Sequence, residues 1–395
     1  MFNIQTINFI KDHIEDDVNE LLLSKKNEST INIKEAAQQI LSRQKAKNKL
    51  PDWYKNFDII FPPPVSVEQA SSHLTAMYKE QFSAGKIIAD ITGGFGADSF
   101  YFSKKATEVH YFEKNNDLTD IALYNFKVLK QNNIVIHKGE FLNNCGNQRF
   151  DLIYSDPSRR DNLQNRKIRL SDYDPNIPSI KEELFKYCSK LLVKISPMSD
   201  LSATLNELKE TTEIHIISVS NECKELLFLL DKDADRNKLT IYTANLNNNS
   251  SKNQYFQFNQ DEERDSDSKI KTNQEYNYIY EPNSSILKSG AFRIIGERYS
   301  ISKLHQHTHL YTSDCLIDNF PGRVFNVIEV IHFNNKTIRS ISEKYPKANI
   351  SVRNFPLTPK ELRHRLKTDD GGEIYIFGVT IFDESKKIIV CKKAV

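Results

Sequence analysis

The sequence predicts an α/β fold in which a mostly parallel sheet forms the core and a smaller α+β module follows it. Between about residues 86 and 231, short apolar runs alternate with segments of helical periodicity. This alternation is typical of a parallel sheet with helices on both faces. A stretch rich in Asn, Ser, Gln and Asp follows at 246–275, and its low hydrophobicity marks the end of the core.

Four regions are expected along the chain. They are an N-terminal helical region (1–65), the α/β core (66–245), a polar linker or loose hairpin (246–275) and a C-terminal α+β module (276–395). In the first region, Ile, Val and Leu recur at helical spacing over 4–23, and a second helix is expected over 33–47. Ser66 is expected to be the N-cap of a helix that leads into the core.

The elements of the core follow from the same patterns. Strands are expected at 86–91, 108–113, 133–138, 150–155, 191–196 and 213–218. Helices are expected near 96–104, 117–130, 178–190, 199–209 and 221–231. In the C-terminal module, Thr358-Pro359-Lys360-Glu361 is a capping box with proline at the first helical position, so a helix should begin there.

The composition is that of a globular protein of a reducing compartment. Of the 395 residues, 39% are hydrophobic and 27% are charged. No run reaches the ~18 apolar residues that cross a bilayer, and the acidic start is unlike a signal peptide. We therefore expect a cytoplasmic protein with no membrane partner. The five cysteines are scattered and include no C-x-x-C pair, which argues against disulfides and zinc.

Charge is distributed unevenly along the chain. Residues 320–395 contain 14 Lys/Arg and 8 Asp/Glu, a net charge of +6, so residues 1–319 carry −4. A basic terminal module favours a polyanionic partner, although a solvated charged surface is the alternative. Lys360, Arg363 and Lys367 recur at helical spacing and are expected to form an exposed basic face that contacts RNA phosphates.

A histidine-rich string, HQHTH at 305–309, invites a metal interpretation. Alternation would place all three histidines on one face of a strand. No cysteine or acidic residue has ligand spacing, however, so a polar strand face is the favoured interpretation and no metal is expected.

The string from Asp90 to Asp98, DITGGFGAD, follows a predicted buried strand and precedes a helix. Glycines at such a junction allow a sharp turn and the close approach of a ligand. Glu113 ends the next strand and Glu140 follows the third, so three consecutive strands carry an acid at their ends. A carboxylate there can accept ribose hydroxyls or an adenine amine. Alternatively, the glycines form only a tight junction and both acids face solvent.

This pattern resembles the class I S-adenosylmethionine (SAM)-dependent methyltransferases, and the resemblance covers about 86–245. It implies a Rossmann-like core with SAM as cofactor. It also implies that Gly94 and Gly96 lie beneath the methionine moiety and that Asp90 orients the loop and the SAM amino group. Glu113 would then hold the ribose and Glu140 the adenine. The family's first glycine is replaced by Thr92, as in similar strings of some RNA guanine-N2 methyltransferases.

The second informative string is FDLIYSDPSRR at 150–160, which places Asp156 and Pro157 after the fourth strand. Amino-methyltransferases carry a D/N-P-P-aromatic tetrad at this place. There a carboxylate oxygen and a backbone carbonyl accept the amine N–H groups and aim the lone pair at the methyl group. Asp156 and Pro157 are therefore the expected catalytic residues. Arg159 stands where an aromatic is usual, and Arg159 and Arg160 are expected to contact the substrate. A simple turn is the alternative.

The C-terminal string KANISVRNFPLTPKELRHRLKTDDGGEIYIFGVT, with FPGR before it, resembles a THUMP-like domain beginning near residue 320. THUMP domains proper bind RNA in tRNA-modifying enzymes. The combined resemblance implies a methyltransferase for an exocyclic base nitrogen of tRNA or rRNA, with guanine N2 as one candidate. A DNA or small-molecule N-methyltransferase and a non-catalytic nucleic-acid-binding protein are the alternatives.

Overall fold

The computed structural model describes residues 2–24, 31–159, 169–233, 238–248 and 252–394. The chain divides into two compact units. The first comprises Met1–Ile214 and Lys224–Asn237, and the second comprises His215–Cys223 and Lys238–Val395. Within the described residues, no helix is both long enough and apolar enough to span a lipid bilayer.

The first unit begins with six short helices. They are α1 (Ile4–Asp12), α2 (Val18–Ser24), α3 (Ile33–Ala46), α4 (Pro51–Lys55), α5 (Pro64–Gln69) and α6 (His73–Lys79). The single helix expected over 4–23 is interrupted, because the Asp17 carboxylate accepts the Asn19 and Glu20 amides at 2.7 and 3.3 Å and so starts a new helix. Ser66 is not an N-cap, since α5 begins at Pro64. The N-cap role belongs to Ser72, which accepts the Thr75 amide at the start of α6.

An α/β region completes the first unit. Its elements are β1 (Ile87–Asp90), α7 (Ala97–Ser103), β2 (Glu108–Glu113), α8 (Asn116–Val128), β3 (Ile134–Lys138), α9 (Phe141–Asn144), β4 (Leu152–Ser155), β5 (Ser158–Arg159), β6 (Tyr173–Asp174), α10 (Ile177–Leu184), β7 (Lys190–Ile195), α11 (Leu201–Glu207), β8 (Thr211–Val219) and β9 (Glu222–Asp231). The sheet has the order β9-β7-β4-β1-β2-β3 over this region. The neighbours from β7 to β3 are parallel and β9 is antiparallel to β7. The predicted α/β, Rossmann-like fold class is confirmed.

One predicted element of the core is wrong. Residues 221–231 were expected to form a helix, but 222–231 form strand β9, in which Leu191 of β7 lies opposite Leu230. The residues from Leu226 to Leu230 are all buried. A strand covered on both faces shows a continuous apolar run without alternation, so its pattern cannot be distinguished from that of a buried helix.

The second unit contains most of the remaining chain. Its elements are β10 (Thr240–Leu246), β11 (Gln254–Asn259), α12 (Gln260–Asp265), β12 (Tyr278–Pro282), α13 (Ser284–Ser289), α14 (Ile294–Arg298), β13 (Ser302–His305), β14 (Thr308–Ser313), β15 (Gly322–His332), α15 (Asn335–Lys344), β16 (Lys347–Arg353), α16 (Pro359–Leu366), β17 (Asp369–Thr380) and β18 (Lys386–Lys393). A seven-stranded sheet has the order β13-β14-β12-β15-β18-β17-β16, in which β16 and β17 are parallel. This is the α+β arrangement expected for the C-terminal module.

Part of the segment expected to be a polar linker is regular structure. Strand β11 pairs antiparallel with β10, and α12 follows it directly. Phe256 and Phe258 are buried, whereas Tyr255 and Gln257 between and beside them are exposed. The two aromatic residues therefore anchor the strand, and the polar residues around them conceal the alternation in a composition count.

Candidate functional site

A cavity of about 980 Å³ lies at the carboxyl ends of β1, β2, β4 and β7 in the first unit. This is where ligands bind in open parallel sheets. The cavity brings together all eight residues that the sequence assigned to the cofactor and to transfer. These residues are Asp90, Thr92, Gly94, Gly96, Glu113, Glu140, Asp156 and Pro157.

The glycine loop depends on three glycines, one of which sequence reasoning passed over. Gly94 and Gly96 have φ values of +55° and +88°, a region that favours glycine. At Gly93 a Cβ would lie 2.1 Å from the Tyr111 ring, which the backbone could not tolerate. The Tyr111 hydroxyl donates to the Gly94 carbonyl at 2.7 Å, so the ring also supports the loop from below.

Asp90 organises this loop from the end of β1. Its buried carboxylate accepts hydrogen bonds from the Ser99 hydroxyl at 2.6 Å and the Thr92 amide at 3.1 Å. Burial raises the pKa of Asp90 to about 7, although the Ser99 hydrogen bond opposes the shift. These bonds account for the loop-orienting role that the resemblance implied.

The two acids on the neighbouring strands have different environments. Glu113 accepts the Gly94 amide at 2.9 Å through Oε2 and the Asn115 amide at 2.8 Å through Oε1, so it joins the glycine loop to the β2–α8 turn. Glu140 is exposed at the start of α9, and its side chain makes no capping hydrogen bond there. Both line the cavity, and both carboxylates can accept hydrogen bonds from a ligand.

Asp156 is held by its main chain and by its side chain. The Asp156 amide donates to Thr92 Oγ1 at 2.6 Å, which connects the transfer residue to the glycine loop. A glycine at position 92 would lack this acceptor, so the departure from the family pattern has a structural role. The Asp156 Oδ2 accepts from Lys194 Nζ at 2.6 Å. Lys194 lies on β7 and lines the cavity, and the sequence reasoning missed it.

A buried charge cluster lies beneath the transfer residue. The fully buried Lys79 ammonium donates to Glu225 at 2.9 Å and to Ser71 at 2.9 Å, and it forms an ion pair with Asp98 at 3.1 Å. Lys194 joins the cluster through Ser71 at 3.2 Å. Ser71 and Lys79 belong to the string at 68–79 that precedes the glycine loop. Helical pattern alone gave no sign that this string carries a buried lysine.

The electrostatics of the cluster favour charged forms despite burial. Burial alone would lower the pKa of Lys194, but the carboxylates of Asp156 and Glu225 outweigh it and raise that pKa. Burial alone would raise the pKa of Asp98, but the Lys79 and Lys194 ammonium groups outweigh it and lower that pKa. Ion pairs of this kind are stable only while each partner is present.

The residues expected to contact the substrate are only partly confirmed as accessible. Arg160 and the side chain of Arg159 lie outside the described residues. In the second unit, Lys360 and Lys367 are exposed on or next to α16, while Leu362 and Leu366 are buried beneath it.

Arg363 does not belong to a free basic face. Its guanidinium donates to the Ala348 carbonyl at 3.1 Å and to the Asp370 carboxylate at 2.5 Å. The expectation of three equivalent phosphate contacts is therefore corrected to two lysines and one arginine that already has partners. The helical spacing was correct, but the spacing gives no information about Asp370 on the following strand.

The histidines at 305–309 do not share a strand face. His305 ends β13 and His307 lies in the turn before β14. His305 Nε2 contacts Glu384 Oε1 at 2.8 Å, and His309 stacks on Phe292 with ring centroids 3.6 Å apart. Among the residues that the structure describes, no cluster of His, Cys, Asp or Glu is arranged to hold a metal ion.

The residues present fit SAM, as two observations of the cavity show. A Cβ at Gly94 would meet only the Thr92 carbonyl oxygen, at 3.7 Å, so the glycine leaves open space for a ligand above the loop. Carboxylates of Asp90, Glu113 and Glu140 line the adjoining wall and can accept hydrogen bonds from hydroxyl and amino groups. The sheet, the glycine loop and the acids define a class I methyltransferase.

The comparisons with known proteins agree with this class. A structure from Porphyromonas gingivalis W83, provisionally described as a methyltransferase, matches with a TM-score of 0.87 and 31% identity over 100% of both chains. The chain belongs to the family of that protein. A THUMP-like domain family matches residues 322–393, as expected, and a ferredoxin-like domain family, which was not anticipated, matches 278–321. The curated proteins include no match.

Two other structures share less with the chain. One, from Pyrococcus horikoshii, is provisionally described as an RNA methyltransferase and has a TM-score of 0.30, 15% identity and coverage of 49% of this chain and 98% of that one. The other, from Listeria monocytogenes, is provisionally described as a class I SAM-dependent methyltransferase and has a TM-score of 0.35, 13% identity and coverage of 62% and 94%. Scores this low carry no further argument.

Proposed function

We propose that this protein transfers the methyl group of SAM to an exocyclic nitrogen of a base in tRNA or rRNA, with guanine N2 as the first candidate. The observation that supports this best is the placement of Asp156. Its carboxylate lines the same cavity as the glycine loop, and its amide is bonded to Thr92 of that loop at 2.6 Å. An acceptor bound to Asp156 would therefore lie next to the bound cofactor.

The chemistry requires alignment more than acid–base strength. The lone pair of an exocyclic base amine is delocalised into the ring, so the amine must be held with that lone pair directed at the methyl group. Lys194 occupies Asp156 Oδ2 at 2.6 Å. The Asp156 Oδ1 atom and the main-chain carbonyl before Pro157 are then the acceptors for the two N–H bonds. SAM, when bound, supplies the electrophilic methyl group.

Lys194 and the cluster below it keep Asp156 ready for this task. The ammonium group fixes one carboxylate oxygen and favours the ionised form, which accepts hydrogen bonds without donating any. Because Lys194 also contacts Ser71 at 3.2 Å, the carboxylate is tied to the segment before α6 as well as to the glycine loop.

RNA is the proposed acceptor because of the C-terminal part of the chain. Residues 322–393 match a THUMP-like domain family, and residues 320–395 carry 14 Lys/Arg against 8 Asp/Glu. Excess positive charge supports binding to a polyanion through phosphate contacts. We also propose a cytoplasmic location, where tRNA and rRNA are accessible.

Methylation profiling of total RNA from cells with and without the gene tests this function. We expect one or a few base methylations to disappear without the gene. Purified wild-type protein and labelled SAM should restore them on RNA from the deficient cells, and Asp156→Ala should not. Labelled DNA or labelled small molecules without labelled RNA would favour the alternative acceptors, and SAM binding without any transfer would favour a non-catalytic role.

A further inference from the structure

Lysines surround the acceptor end of the cavity in greater number than the transfer step uses. Lys194 and Lys224 both line this end, close to Asp156. Lys49 lies beside them, because its Nζ donates to the main-chain carbonyl of Glu68, which is another lining residue. The Lys49 charge is near enough to interact with those of Lys194, Lys224 and Asp156.

Lys49 differs from Lys194 in its partners. Lys194 is neutralised by Asp156 at 2.6 Å, whereas no carboxylate of the described residues lies within 4.0 Å of Lys49 Nζ. An ammonium group has three donors, and Lys49 uses one of them on a carbonyl. Burial lowers the pKa of Lys49 to about 8, and the positive charge of Lys194 adds to the shift. A partly buried ammonium in this position would gain from an anion.

The two ends of the cavity therefore differ in charge. Carboxylates of Asp90, Glu113 and Glu140 line the end assigned to the cofactor, which is a cation at its sulfonium. Lysines dominate the end assigned to the acceptor. Complementary charge at each end favours a positive ligand at one and a negative ligand at the other.

We propose that Lys49 and Lys224 form a binding site for a phosphate group of the acceptor, next to the amine held by Asp156. The acceptor is thus a nucleotide unit whose own or neighbouring phosphate fixes its position, as phosphate contacts do in nucleic-acid complexes. This deepens the proposed function and rests on it for the identity of the methylated base. The binding of a phosphate-like anion by these lysines is testable without any transfer reaction.

Inorganic sulfate is a suitable probe, because it stays a dianion across neutral pH and does not titrate itself. Calorimetry on protein saturated with S-adenosylhomocysteine should detect sulfate binding. Lys49→Gln and Lys224→Gln should each weaken it by about tenfold, the loss expected for a hydrogen bond between charged groups. Lys55→Gln, an exposed lysine at the end of α4, removes the same charge from the same region and should leave the affinity unchanged.

The pH dependence gives a second readout from the same titration. Sulfate affinity of the wild type should fall between pH 7 and 9 as Lys49 loses its proton, and Lys49→Gln should lack this fall. The other charges that act on Lys49 are Lys194, Glu68, Lys224 and Asp156. The ammonium groups of Lys194 and Lys224 are retained in Lys49→Gln, so any remaining pH dependence of that variant reports on them.

Guanosine 5′-monophosphate and guanosine connect the site to the acceptor. The wild type should bind the nucleotide more tightly than the nucleoside, and Lys49→Gln should lose about tenfold of that preference. Equal affinities in the wild type, or sulfate binding that no lysine change weakens, would overturn the proposal and leave Lys49 as a cap for the Glu68 carbonyl. If Lys49→Gln proves unstable, Lys224→Gln decides in the same way. Sulfate binding without any RNA methylation would instead count against the proposed function alone.

Discussion

Replacing Lys79 by methionine should destabilise the protein far more than removal of an ordinary lysine. The Lys79 side chain is 0% exposed, and its partners Glu225 and Asp98 are 3% and 9% exposed. The substitution keeps the apolar volume but leaves two buried carboxylates without their cation. Removal of one partner from a buried ion pair costs about 3–5 kcal/mol. We expect a loss of that order in the free energy of unfolding.

A matched control is available in the same unit. Lys45 pairs with Glu68, but these side chains are 36% and 53% exposed. Lys45→Met makes the same chemical change at an exposed pair, where the cost is about 0–1 kcal/mol. Thermal and urea unfolding of both variants beside the wild type measure the difference. Equal stabilities of Lys79→Met and Lys45→Met would refute the view that the cluster is tightly coupled.

The pH dependence of this difference has a definite sign. In the folded protein the ammonium of Lys79 outweighs burial and keeps the pKa of Asp98 below its ordinary value of 3.8. A carboxylate with a lowered pKa contributes stability above its unfolded pKa and loses it as pH falls through the folded pKa. The deficit of Lys79→Met should therefore be largest at neutral pH and should shrink in acid. A deficit that grows on acidification would contradict this linkage.

Three further substitutions test the site and the basic module. Asp156→Ala should lower turnover at least 100-fold, because alignment of the acceptor is lost, while calorimetry should find S-adenosylhomocysteine affinity little changed; equal loss of both would place Asp156 in the cofactor site. Gly94→Val should abolish binding of S-adenosylhomocysteine, since φ is +55° and the side chain would enter the space above the loop, and circular dichroism should show a folded protein. Replacing Lys360 and Lys367 together by Gln should weaken RNA binding and reduce its salt slope by about two units; an unchanged slope in a filter-binding titration would remove α16 from the RNA contact.

The part of the site that the sequence predicted is the part that is local in the chain. The residues from Asp90 to Gly96 lie within one turn, and the acids Glu113 and Glu140 follow consecutive strands whose ends must meet at one edge of the sheet. Strand periodicity and turn chemistry are therefore enough to assemble the cofactor wall. The position of Asp156 follows from the same rule.

The buried cluster could not be predicted in this way. Lys79 and Glu225 are 146 residues apart, and Glu225 lies on a strand that was interpreted as a helix. In a helix its neighbours would have been three and four residues away. A charged residue inside an apolar run usually signals a solvated face, and only the antiparallel pairing of β9 with β7 shows that Glu225 lies beside a lysine of another element.

The same cluster bears on how the protein can be divided. Ser71 and Lys79 precede the first strand, and Asn125 of α8 bonds both the amide and the carbonyl of Ile60, at 2.9 and 2.8 Å. A chain trimmed to begin at β1 would retain every residue of the glycine loop but would leave Asp98 and Glu225 without Lys79. The N-terminal helices therefore act as an internal counterion for the enzyme, and a minimal catalytic fragment must include them.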